Sequence, residues 1–114
     1  MQVNKTRFCP SPTGFLHLGN LRTSLFSLLL AKKNNGTFLL RIEDTDTERS
    51  TEEFSEAICD DLNWMNLNWD EGPRVGGNED SYYQSQRLDL YESLFEKLIK
   101  RDLIYPCFTS EEEL

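Results

Sequence analysis

The sequence predicts an α/β fold of parallel strands with flanking helices, and three observations predict it. A short extended run at Thr6 to Cys9 precedes a helical pattern opening at Gly19. A second run, Thr37 to Ile42 (TFLLRI), follows directly on Gly36 and is mostly apolar without alternation, as in a strand buried in a parallel sheet. Between the first strand and the helix lies a stiff loop in which Pro10 and Pro12 remove backbone donors and force extended geometry. Strand, helix, strand is a βαβ unit.

The elements then follow in order. In the first helix Leu21, Leu25, Leu28 and Leu29 recur at helical spacing, and Asn34, Asn35 and Gly36 supply its stop. Ser50 and Glu53 have the spacing of a capping box, and Phe54, Ile58, Leu62 and Met65 share one face of the second helix behind it. Trp69 to Asp80 (WDEGPRVGGNED) carries three glycines and a proline and reads as an irregular, exposed loop. Leu88, Tyr91, Phe95 and Leu98 define a third helix ending near Arg101. Ile104 to Phe108 (IYPCF) is a short extended run that Pro106 confines to an edge or a turn. The closing TSEEEL has the pattern of a helix's first turn, with Ser110 as its cap.

Composition narrows the function classes. A chain of 114 residues, 38% apolar and 28% charged, suits one folded domain and argues against disorder. Twelve basic against twenty acidic residues give a net charge of −8, so any nucleic-acid contact must come from a local basic patch or from parts outside this chain. Cys9, Cys59 and Cys107 are odd in number, widely spaced and form no CxxC or CxC pair, so neither a disulfide framework nor a zinc site is suggested. The longest apolar run, Leu25 to Ala31, is too short to span a bilayer, and there is no secretory signal. A cytoplasmic protein without a membrane role is the expectation.

The chemistry concentrates at the mouth of the first helix. A helix N-terminus entered by a loop from a strand's carboxyl end is where doubly wound folds bind anions and nucleotides, and Gly19 leaves room for a close approach. Yet neither GxGxxG nor GxxxxGK[ST] occurs, so neither a dinucleotide fingerprint nor a P-loop explains the site.

The segment Pro12 to Asn20 (PTGFLHLGN) resembles the HIGH-type signature of class I aminoacyl-tRNA synthetases. RFCPSPTG, LRIEDTD at Leu40 to Asp46, WDEGP, YYQSQR and YPCFTSEEEL match, in order and spacing, the pattern of glutamyl-tRNA synthetases. The resemblance covers essentially all 114 residues. It implies the N-terminal half of a Rossmann-like catalytic domain over residues 1–114. The C-terminal half, with its KMSKS loop, and the anticodon-binding domain would lie outside. The implied reaction is ATP-dependent activation of L-glutamate to glutamyl-adenylate and transfer to tRNA(Glu), with ATP entering as its Mg2+ complex. These residues alone are expected to be inactive.

The resemblance also assigns residues. His17 and Gly19 would be catalytic and, with Asn20, bind ATP; His17 would donate to phosphate oxygens as charge builds at the α-phosphorus. Asn20 replaces the final His of the generic signature, and its amide can still donate. Arg7 would clamp the glutamate side-chain carboxylate, Ser11 would supply a hydroxyl, and Glu43 would take the α-ammonium. Cys9 stands where the family more often has Ala, leaving a backbone contact. Asp46 and Arg49 would meet the acceptor end of tRNA. No metal ligand is assigned, and the single Cys107 places the chain with the zinc-free forms. A monomer is expected.

Blander readings compete at each position. His17 could be a satisfied polar side chain, Arg7 and Glu43 could pair with each other or with solvent, and Glu43 to Glu48 could be a solvated acidic turn. Trp64, Trp69, Tyr82 and Tyr83 are assigned to packing. Two rival functions stand beside the first. One is a glutamyl-queuosine tRNA(Asp) synthetase paralogue, which tends toward a zinc CxC and RIED without TD. The other is a non-catalytic nucleotide- or tRNA-binding remnant of the same fold.

Overall fold

The computed structural model describes residues 5–79 and 81–113. Strand β1 (Lys5–Phe8) leads through the proline loop to helix α1 (Leu18–Lys33), and strand β2 (Thr37–Leu40) returns beside β1. The strands pair in parallel, Lys5 opposite Thr37 and Phe8 opposite Leu40. Helix α2 (Glu52–Trp64) follows, then a 3-10 turn at Gln84–Arg87 that runs into helix α3 (Leu88–Ile99). The βαβ reading therefore holds, with β2 shorter than the run that predicted it.

Alternation along the strands sorts the side chains. Phe8, Phe38, Leu40 and Ile42 join Leu28 and Ala31 of α1, Ile58, Cys59 and Leu62 of α2, and Leu67 and Trp69 beyond it in one core. Thr6 Oγ1 fastens β1 to α1 by donating to the Ser27 carbonyl at 2.8 Å. Burial pushes the Cys59 thiol up to about 11, so it stays neutral and packs as a small apolar group.

Several expectations need correction. Only Leu28 of the four leucines that defined the α1 face is buried; Leu25 and Leu29 are exposed, with Phe26 and Leu30. The apolar residues of this helix are spread over nearly all its sides among polar ones, so period alone could not choose its buried side. The cap of α2 is Thr51, not Ser50: its side chain accepts from the Phe54 N–H at 3.1 Å, and Glu53 has no part in it. Met65 is exposed, and Leu67 and Trp69 take the inner places behind α2.

The loop after α2 is far from wholly exposed. Trp69, Glu71, Gly72 and Pro73 are buried, and Trp69 Nε1 donates to the Pro73 carbonyl at 2.8 Å. Leu40 N–H donates to the Glu71 carbonyl and Ile42 N–H to the Tyr82 carbonyl, both at 2.9 Å. This segment therefore satisfies the free edge of β2 without being a regular strand. Arg74 bonds Glu56 and Asp60 on the outer side of α2.

The end of the chain departs furthest from expectation. No residue of α3 is buried. Residues 104–108 form no strand, and Tyr105 and Phe108 are exposed. Glu111–Glu113 is a 3-10 turn, and the Ser110 N–H before it donates to Glu113 Oε2 at 3.0 Å. Trp64, assigned to packing, is 81% exposed, whereas Trp69 and Tyr82 are buried and Tyr83 is partly so. Leu114 lies outside the described residues.

Candidate active site

The loop from β1 into α1 builds a cleft of about 470 Å³ lined by Arg7, Cys9, Ser11, His17, Asn20 and Thr23, among others. Five of the residues singled out in the sequence thus face one space. The prolines that stiffen this loop also anchor it. Pro10 accepts from the Glu43 N–H at 2.9 Å and Pro12 from the Thr51 N–H at 3.2 Å. Proline lacks a donor but keeps its carbonyl, so each ties the loop to the acidic segment after β2.

His17 is the N-cap of α1. Its Nδ1 accepts from the Gly19 N–H at 3.1 Å, and its own N–H donates to Asn20 Oδ1 at 3.2 Å, which closes a capping box. A ring nitrogen that accepts carries no proton, so neutral His17 holds its proton on Nε2 as a donor. The first turn of α1 contains no acidic residue, leaving the positive end of the helix uncompensated.

The room above Gly19 is used by the protein itself. A Cβ there would meet His17 Cε1 at 2.9 Å and Nδ1 at 3.0 Å, so this glycine lets the imidazole fold over the helix end. Asn20 and Leu21 direct their N–H groups to the His17 carbonyl, at 2.9 and 3.2 Å. The helix mouth is thus largely capped from within. Among the described residues His17 Nε2, the Asn20 amide nitrogen and the Leu18 N–H are donors it leaves to a ligand.

Arg7 also lines a second cleft of about 280 Å³, together with Lys5, Arg41, Arg87, Glu79 and Tyr82. Lys5 pairs with Glu71, Arg41 with Glu43 and Arg87 with Glu79. Among the described residues Arg7 alone of these four cations has no ion-pair partner. Lys5, hydrogen-bonded at 2.8 Å, holds the Glu71 carboxyl below the usual carboxylate range and is itself raised.

Glu43 does not line the first cleft and does not pair with Arg7. Its Oε1 takes Arg41 Nε at 2.9 Å and Nη2 at 2.7 Å, and its Oε2 takes Gln84 Nε2 at 3.1 Å. Asp44 accepts from the Ser85 N–H at 2.9 Å and hydroxyl at 2.5 Å. Asp46 and Arg49 lie outside both clefts and bond each other, Arg49 Nε to Oδ2 at 2.6 Å, which holds the Asp46 carboxyl below its ordinary range. A third cleft, about 560 Å³, is lined by Asp44, Ser50, Thr51, Ser55 and Tyr83, among others, and includes none of the predicted site residues.

Arg41, Gln84 and Ser85 were not foreseen as part of the site. Arg41 stands two residues before Glu43, on the same side of an extended segment, and that spacing is visible in the sequence. Gln84 and Ser85 lie 41 residues from their partners, and nothing local announces the contacts.

A parallel βαβ unit with a donor-bearing histidine at its helix mouth is a Rossmann-like nucleotide-binding arrangement. The family described as tRNA synthetases class I (E and Q), catalytic domain, matches residues 3–114, and the chain belongs to that family. It is 57% identical over 110 residues to glutamate–tRNA ligase 2 of Nitrosococcus oceani, covering 96% of this chain and 23% of that protein. It is 54% identical over 114 residues to the glutamate–tRNA ligase of Anaeromyxobacter dehalogenans, covering 100% and 24%. A crystal structure of the glutamate–tRNA ligase of Elizabethkingia meningosepticum, in complex with its amino acid, superposes with a TM-score of 0.90 at 46% identity, covering 98% of this chain and 22% of that one. The chain therefore spans about a quarter of the length of the curated relatives it matches.

Proposed function

We propose that this chain is the N-terminal half of the catalytic domain of a glutamate–tRNA ligase. The ligase activates L-glutamate with ATP and transfers it to tRNA(Glu). The observation that carries the reading is the junction made by Pro10 and Pro12, which holds the histidine loop against the segment of Glu43. One loop then offers donors to a polyphosphate, and its neighbour offers a carboxylate to an ammonium.

In this reading ATP, entering as its Mg2+ complex, lies against the mouth of α1 with its α-phosphate near His17 Nε2 and the Asn20 amide. Gly19 serves by leaving room for the imidazole. As the glutamate α-carboxylate attacks, negative charge grows on the phosphoryl oxygens, and a donor fixed by the helix cap needs no reorientation to meet it. Removing one such donor costs roughly 3–4 kcal/mol of transition-state stabilisation. Arg7, which alone of the four cations of the second cleft has no ion-pair partner among the described residues, takes the side-chain carboxylate, and a guanidinium fork fits a carboxylate in two parallel bonds. Ser11 adds a hydroxyl, Cys9 a backbone contact and Glu43 the α-ammonium site. Asp46 and Arg49, turned outward, meet the acceptor end of tRNA. The protein works as a monomer in the cytoplasm.

The test is ATP-dependent attachment of labelled glutamate to tRNA(Glu) by the full-length polypeptide. We expect His17→Ala to lower kcat by about 10²–10³ and the 114-residue chain alone to charge no tRNA. Charging of tRNA(Asp) in place of tRNA(Glu), or full activity in His17→Ala, would overturn the reading.

A further inference from the structure

Glu43 is oriented by more than its ion pair. Gln84 is buried, and its backbone is pinned: its N–H donates to the Ile42 carbonyl at 3.0 Å, while Ile42 N–H donates to the Tyr82 carbonyl at 2.9 Å. Its side-chain amide bridges two groups. Nε2 donates to Glu43 Oε2 at 3.1 Å, and Oε1 bonds the Tyr91 hydroxyl of α3. An ionised carboxylate only accepts, so Glu43 fixes which end of the amide faces it. The Tyr91 hydroxyl must then donate to Oε1. Tyr91 to Gln84 to Glu43 is a directional chain, opposed across the carboxylate by Arg41.

A carboxylate has about four lone-pair directions. Arg41 and Gln84 supply three N–H groups to Glu43, two on Oε1 and one on Oε2. One direction on Oε2 is left for a ligand N–H, and the Glu43 side chain is 24% exposed. With both oxygens held, that direction is fixed before a ligand arrives.

We infer that Gln84, held by Tyr91, is a positioning residue that aims Glu43 Oε2 at the α-ammonium of the amino-acid substrate. This rests on the proposed role of Glu43 and adds a second residue to it. Gln84 touches no substrate. Replacing it with Glu keeps the size and the acceptor for Tyr91 but sets an oxygen against Glu43, which destroys the aim.

The experiment compares L-glutamate with glutarate, which keeps both carboxylates and lacks the ammonium, in tRNA charging by the full-length polypeptide. For Gln84→Glu we expect the KM for glutamate to rise about tenfold or more, as for loss of a charge-assisted hydrogen bond, with ATP KM and inhibition by glutarate unchanged within about twofold. Tyr91→Phe, which removes one hydroxyl, should raise the glutamate KM about threefold with the same selectivity. An unchanged glutamate KM in Gln84→Glu, or equal weakening of glutamate and glutarate, overturns the inference. Should Gln84→Glu fail to fold, an unchanged glutamate KM in Tyr91→Phe overturns it instead. Glu43→Gln separates the two proposals: if it leaves the preference for glutamate over glutarate intact, the role of Glu43 itself fails. If Glu43→Gln loses that preference and Gln84→Glu keeps it, only the role of Gln84 fails.

Discussion

Helices α2 and α3 carry the same kind of message and meet different fates. Each repeats apolar residues at steps of three and four, yet Ile58, Cys59 and Leu62 of α2 are fully buried, whereas α3 leaves Leu94 43% and Phe95 55% exposed. Period tells which side of a helix is apolar. Whether that side is covered depends on partners elsewhere, and α2 meets Leu67, Trp69 and the β2 side chains in the core, whereas no residue of α3 joins that core. A helix can thus be well formed locally while contributing little to the core.

The contrast can be broken by substitution. Ile58→Ala should cost about 2–5 kcal/mol in denaturant unfolding of the chain, since it leaves a cavity between α2 and β2. Gly72→Ala attacks the segment that seats α2 from outside: at φ +147 a Cβ would lie 2.6 Å from the Leu40 carbonyl oxygen. A loss of about 1–3 kcal/mol is expected from that strain, read in the same unfolding experiment.

Acid should loosen the same segment. The Glu71 carboxyl is held below its ordinary value by Lys5, so its contribution is present above about pH 4.3 and lost as pH falls through the lowered folded value. The contribution of Lys5, raised by the same bond, is present below its ordinary value and lost as pH climbs through the raised one. Thermal melts should show a fall below about pH 4 that Glu71→Gln makes smaller, the part due to Asp46 remaining. Phe95→Ala on α3 should change unfolding by no more than about 0.5 kcal/mol, and a loss as large as that of Ile58→Ala would show a covering that this contrast denies.

Much of the fold was legible because it rests on local signals. The prolines and Gly36 marked the strand boundaries, and Asn35, at φ +48, ends α1 as read. The buried face of α1 was not legible, because its apolar residues are scattered round the helix and mark no preferred direction. The seating of residues 69–73 was hidden for another reason: glycines and a proline announce a turn, and the bonds to β2 come from single backbone groups without strand periodicity. At the site, the stiff loop and the helix mouth were legible because they are contiguous in sequence, whereas Arg7, His17 and Asn20 were given their roles by the family resemblance. The Arg41 and Gln84 grip on Glu43 was not legible, since a carboxylate's partners depend on register and on a distant segment.

That distance has a consequence for how the site comes into being. Glu43 and Gln84 are 41 residues apart, so their bond closes a long loop whose entropic cost must be met by the parallel pairing and the core beneath it. The geometry of the site therefore depends on the whole βαβ unit and its core rather than on any local stretch of chain. Any event that opens α2 or frees the edge of β2, such as a proteolytic nick near Asn78, erases the aim of Glu43 without touching a single residue of the cleft.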